Sequence, residues 1–71
     1  MSGTAAVFLL RGHELEVVDL DDGWLVRSGD ETAQARYLDH ALAELLRLPP
    51  GLVLSLVKQI LEGEPGSELF L

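Results

Sequence analysis

Seventy-one residues without a single Cys make one small domain that gains nothing from disulfides or thiolate metal sites. Twelve acidic residues against five basic ones give a net charge of −7. The five cations, Arg11, Arg27, Arg36, Arg47 and Lys58, are scattered along the chain rather than clustered, which argues against a nucleic-acid or anionic membrane partner.

The apolar share is 48%, which favours a packed core over disorder. A chain of this size buries only about 60% of its unfolded surface, so it needs close packing or self-association to be stable. Met1–Thr4 reads as a lead-in. The opening MSGTAAVFLLRG lacks the basic start and long apolar core of a signal peptide, and no apolar run approaches the roughly 20 residues of a membrane span. A cytoplasmic protein is the expectation.

The first strand is the apolar run Ala5–Leu10. Gly12-His13 suits a two-residue turn whose Gly supplies the positive φ of a type II′ hairpin. That register sets Arg11 opposite Glu14 and Leu10 opposite Leu15, with a return strand to Leu20.

DLDDGWLV follows. An EF-hand loop needs acids at positions 1, 3 and 5, Gly at 6 and Glu at 12. Counted from Asp19, acids fall at 1, 3 and 4, Gly23 at 5, and Asp30 at 12. A hairpin suits the spacing better, with Asp21-Asp22-Gly23 as a three-residue loop closed by a left-handed Gly. Leu20 then faces Trp24, and Val18 faces Val26, while Val17, Asp19, Leu25 and Arg27 lie on the other side. Asp19, Asp21 and Asp22 remain weak candidates for a divalent cation. Trp24, the only Trp, reads as a core residue.

Ser28-Gly29-Asp30 ends the third strand. The segment DETAQARY admits two readings. Either Asp30 caps a long helix, or Thr32–Tyr37 is a short fourth strand and Asp39 caps a shorter helix. The good helix formers Ala, Gln and Arg favour the long helix. Beyond it, Leu38, Ala41, Leu42, Leu45 and Leu46 follow the stripe of an amphipathic helix.

Pro49-Pro50 stops that helix, and Pro50 can open a second one running to about Glu62. Its polar stripe is Ser55, Lys58, Gln59 and Glu62, and apolar residues cover nearly all the rest. Such a helix needs burial on more than one side, which a homodimer would provide. After Gly63 the chain reads as a flexible tail, residues 64–71, whose end Leu69-Phe70-Leu71 either docks back on its own domain or on a second copy, stays partly disordered, or serves as a short recognition tail. The domain proper is 1–63.

The histidines are the only side chains with neutral-range reference pKa values. His13 sits at a turn and His40 on a helix beside Asp39, where Glu44 is within reach at i+4. No serine stands in a nucleophile elbow, the histidines show no metal spacing, and no Gly loop precedes a helix to cradle phosphate.

These elements give an α+β fold: a three-stranded antiparallel β-meander followed by two α-helices packed on one face. The order of sheet then helix is similar to HicB-type antitoxin domains. That likeness is one of element order, carries none of the family's sequence motif, and implies nothing about activity. The function expected is a non-enzymatic protein–protein interaction module, homodimeric, without cofactor. Leu54, Val57, Leu61, Leu69, Phe70 and Leu71 are its contact residues, and its acidity suits a basic protein partner. The alternative is a small-ligand or divalent-cation domain built on Asp19, Asp21 and Asp22.

Overall fold

The computed structural model describes residues 4–71, so the lead-in read over Met1–Thr4 falls, apart from Thr4, outside the described residues. Four strands run in sequence: β1 (Thr4–Leu10), β2 (His13–Leu20), β3 (Gly23–Ser28) and β4 (Glu31–Ala35). Two helices follow, α1 (Leu38–Leu46) and α2 (Pro50–Glu62), and a two-residue strand β5 (Glu68–Leu69) completes the fold. The sheet order is β4-β3-β2-β1-β5, antiparallel except where β5 joins β1 in parallel. The fold is α+β, with a five-stranded sheet in place of the expected three-stranded meander.

The meander gains β4 because Glu31–Ala35, within DETAQARY, is a strand and not the start of a helix. Ala33 stands opposite Val26, and both are buried. The local preference of Ala and Gln for helix loses to this cross-strand burial, as strand formation depends on the packing surface offered. The helix starts at Leu38 instead. Its first turn carries Asp39, whose Oδ1 accepts the His40 N–H at 2.9 Å, and the N-cap Tyr37 provides no side-chain bond.

Both hairpin registers differ from the expected ones. In the first, Arg11-Gly12 form the turn, Leu10 pairs with His13, and Phe8 pairs with Leu15. Arg11 (φ 53) and Gly12 (φ 80) are both left-handed, the pattern of a type I′ turn, so Gly sits second rather than first. The expected register was displaced by two residues, which keeps every side chain on its face. Apolar pattern alone therefore does not separate the two.

In the second hairpin, Leu20 pairs with Gly23, leaving Asp21-Asp22 as a two-residue turn. This one-residue change does swap faces. Val17 meets Val26 on the inner side, whereas Val18 meets Leu25 on the outer side. Gly23 is not left-handed. Its role is close approach, because a Cβ there would lie 2.6 Å from the Ala35 carbonyl oxygen.

Alternation along the strands puts Phe8, Leu10, Leu15, Val17, Val26, Ala33 and Leu69 into one core. The helices cover that face with Leu38, Ala41, Leu42 and Leu45 from α1 and Val53, Leu56 and Ile60 from α2. Each fully buried Leu or Val contributes roughly 1.5–3 kcal/mol of transfer free energy. α1 lies over β3 and β4, and the chain turns by 119° between the helix axes across Arg47–Pro49. Arg47, left-handed at φ 57, caps α1 by donating its backbone N–H to the Ala43 carbonyl.

The segment 64–71 is tied down on its own domain, the docked alternative for its end rather than the flexible tail. Leu9 N–H donates to Ser67 O at 3.0 Å, and Gly66 N–H donates to Val7 O at 2.6 Å. Leu69 is 3% exposed and stands beside Leu10. Gln59 then holds the next peptide: its Nε2 donates to Phe70 O at 2.6 Å, and Phe70 N–H donates to its Oε1 at 2.8 Å. The side-chain amide thus does for Phe70 what a neighbouring strand would do.

Candidate interaction surfaces

The six residues read as an interaction set divide three ways in the structure. Leu54 and Leu61 are exposed on α2, at 56% and 61%, as is Leu52 outside the set at 55%. Val57 lies between them, half-buried and packed against the core. At 3.6 residues per turn, positions 54, 57 and 61 form one stripe along the helix. Its flank adjoins the buried face of Val53, Leu56 and Ile60.

Leu69 does not belong to a surface at all. It is core, because alternation in β5 turns it inward against Leu10. Phe70 and Leu71 are exposed but lie elsewhere. The main chain of Phe70 is held by Gln59, which sits on the flank of α2 opposite Leu61. Leu71 borders a cavity of about 200 Å³ with Leu10, Leu15, Leu46 and Leu48, whose rim carries Arg11, His13 and Ser28. That volume falls below the ~300–1,000 Å³ of typical ligand pockets.

The acidic hairpin loop is an open, polar surface. Asp19, Asp21 and Asp22 are exposed around a shallow depression that also includes Trp24, Arg36 and Tyr37. Among the described residues, no three His, Asp or Glu side chains converge as a group that could hold a metal ion. The physical reason lies in the turn: with only two residues in the loop, Asp19 is on the inner face of the ribbon and paired with Trp24.

Trp24 is half-buried and packs against the core edge rather than forming its centre. It also floors a groove that sequence reasoning missed. Ala6, Phe8 and Val17 of the sheet, with Trp24, face Ile60, Leu61 and Pro65 across about 290 Å³. Asp19 stands at its edge. The signal for it was present in part: Trp24 and Leu61 were each singled out, but joining them required the correct register of β2 and β3.

The histidines stand apart. The His40 ring meets Tyr37 edge-on, with centroids 5.5 Å apart, rather than pairing with Glu44. Ser28 shares the small cavity with His13, yet its hydroxyl donates to the Glu14 carbonyl at 3.0 Å. Across the outer sheet face, Arg27 bridges to Glu16 on β2. No single helix among the described residues is long and apolar enough to cross a membrane. No family model, curated protein or solved structure matches the chain.

Proposed function

We propose that this protein is a non-enzymatic protein-interaction module that forms a homodimer through the exposed flank of α2. The observation that carries the reading is the stripe of Leu54, Val57 and Leu61, of which both leucines are more than half exposed. Two exposed leucines at a two-turn spacing on a helix whose other face is already buried are surface that folding leaves unused.

The stripe is self-complementary. In an antiparallel pairing about a two-fold axis between Val57 and Lys58, Leu54 of one copy meets Leu61 of the other, and the reverse contact forms at the same time. Such pairing adds apolar burial to a 71-residue chain whose own core is small. Arrangement of the side chains supports a binding role over catalysis, since Ser28 donates to a backbone carbonyl and His40 stacks edge-on against Tyr37.

The test is molar mass in solution across a concentration series, for the parent chain and for Leu54→Glu. Leu54 is preferred to Val57 because Val57 packs on the core, where a buried charge would unfold the chain instead of separating the dimer. Dissociation of a folded Leu54→Glu variant supports the reading. A parent chain that is monomeric at every concentration ends it.

A further inference from the structure

The small cavity beside the first hairpin turn stands at the opposite end of the sheet from the acidic loop. Its walls are Leu10, Leu15, Leu46 and Leu48, and its rim carries Arg11, His13 and Ser28. At about 200 Å³ it has room for a short aliphatic chain and not for a drug-sized molecule. None of its lining residues belongs to α2, so it is separate from the dimer stripe.

The chain has a net charge of −7, yet no Asp or Glu lines this cavity. Glu14 follows His13 in β2 but lies on the outer face of the sheet, across from Leu9. Glu31, at the same end of the sheet, lines a different depression together with Arg47. The rim therefore presents donors with no acid among them. The Ser28 hydroxyl is already given to the Glu14 carbonyl. Among the described residues the only ion pair is Arg27 with Glu16, and neither the Arg11 guanidinium nor the His13 ring makes a hydrogen bond.

The backbone of Arg11 is a second, separate observation. Arg11 stands at the first central position of a type I′ turn with φ 53, where Asn, Asp or Gly is favoured and a long side chain is strained. Strained backbone of this kind gathers at binding sites, where the side chain it carries is needed. Here the turn gives up stability, and in exchange a permanent cation stands at the mouth of an apolar space.

We propose that this cavity binds a short aliphatic carboxylate, with its alkyl chain against the four leucines and its carboxylate on the Arg11 guanidinium, the His13 ring serving as a further donor. Arg11 selects an anion over a cation, and the leucine walls select an alkyl tail over a hydrated inorganic ion. An Arg–carboxylate contact is charge-assisted and can be bidentate, which fixes the orientation of a small ligand. The site goes beyond the interaction-module reading and stands whether or not the chain dimerises.

The probe is hexanoate, titrated into isotope-labelled protein and followed by backbone amide chemical shifts. Two controls accompany it: acetate, which keeps the charge and lacks the chain, and hexan-1-ol, which keeps the chain and lacks the charge. Arg11→Asn is the deciding variant. Asn adopts the left-handed region readily and Asn-Gly is the preferred type I′ pair, so this change removes the cation and keeps the turn.

Saturable shifts are expected at Arg11, Gly12, His13 and Leu48, with a dissociation constant of about 1 mM, the scale for a ligand of about eight heavy atoms. Both controls, and hexanoate with Arg11→Asn, are expected to bind roughly tenfold more weakly or not at all. The Arg11→Asn variant should melt no lower than the parent, which separates loss of the site from loss of the fold. Leu54→Glu lies outside the cavity and is expected to bind hexanoate as the parent does, whatever it does to self-association. Absence of saturable shifts with hexanoate overturns the proposal, as do equal affinity for either control and unchanged affinity in Arg11→Asn. Shifts that saturate around Trp24 and Leu61 instead of Arg11 and Leu48 place the ligand elsewhere and also overturn it.

Discussion

Leu69→Ala separates a C-terminal segment that is part of the fold from one that merely follows it. Leu69 is 3% exposed, stands beside Leu10 in the parallel pair, and belongs to the single core cluster. Truncating a buried Leu to Ala costs about 2–5 kcal/mol, the transfer term plus the cavity left behind. β5 has only two residues and lies at the sheet edge, where the surroundings can relax into the space. The expected loss is therefore near the lower end, about 2–3 kcal/mol. A domain of this size shifts by about 4–8 °C per kcal/mol, so Tm should fall by roughly 10–20 °C. Urea denaturation gives the free energy, and its slope checks that the unfolding step is unchanged. Phe70→Ala is the internal control, because that ring is 65% exposed and exposed sites away from special features usually move stability by less than about 0.5 kcal/mol. A Leu69→Ala variant within ~0.5 kcal/mol of the parent would refute the docking of β5.

Three further outcomes follow from single contacts. Gly23→Ala should destabilise by about 1–3 kcal/mol in a denaturant melt, because its Cβ would meet the Ala35 carbonyl oxygen at 2.6 Å and force β3 and β4 apart. Arg11→Gly should raise stability by up to ~1 kcal/mol: relief of a left-handed residue at φ 53, worth about 1–2 kcal/mol, is partly offset by the greater freedom of Gly when unfolded. Leu54→Glu combined with Leu61→Lys in one chain should restore the dimer lost in Leu54→Glu alone, since a two-fold axis between Val57 and Lys58 sets position 54 against position 61 twice; sedimentation of the double variant as a monomer would rule out that pairing.

The parts of the fold that were legible in the sequence are those fixed by local chemistry. Pro49-Pro50 and Gly63 bracket α2 as expected, and the stripe from Leu38 to Leu46 marks α1. The strands β1 to β3 were legible as apolar runs, but their registers were not. A two-residue displacement at Arg11-Gly12 leaves all faces unchanged, so only the turn chemistry distinguishes it, and an Arg in the left-handed region is not what turn preferences suggest. β4 was misread because Ala33 alone is its buried anchor, and burial against Val26 is not visible in a segment of Ala, Gln and Arg. β5 was missed for a related reason: two residues carry no period, and Leu69 becomes core only once β1 offers a parallel edge. The candidate surface was legible on α2, where periodicity isolates Leu54, Val57 and Leu61. The groove beside it was not, since it depends on Val17 and Trp24 turning inward together.

Light scattering of the parent chain and of Leu54→Glu, each from low to high micromolar concentration, tests self-association through α2 most directly. A mass of twice 7.7 kDa is expected for the parent and a folded species of 7.7 kDa for the variant. A parent mass of 7.7 kDa at every concentration, or a variant that remains dimeric while folded, would contradict it.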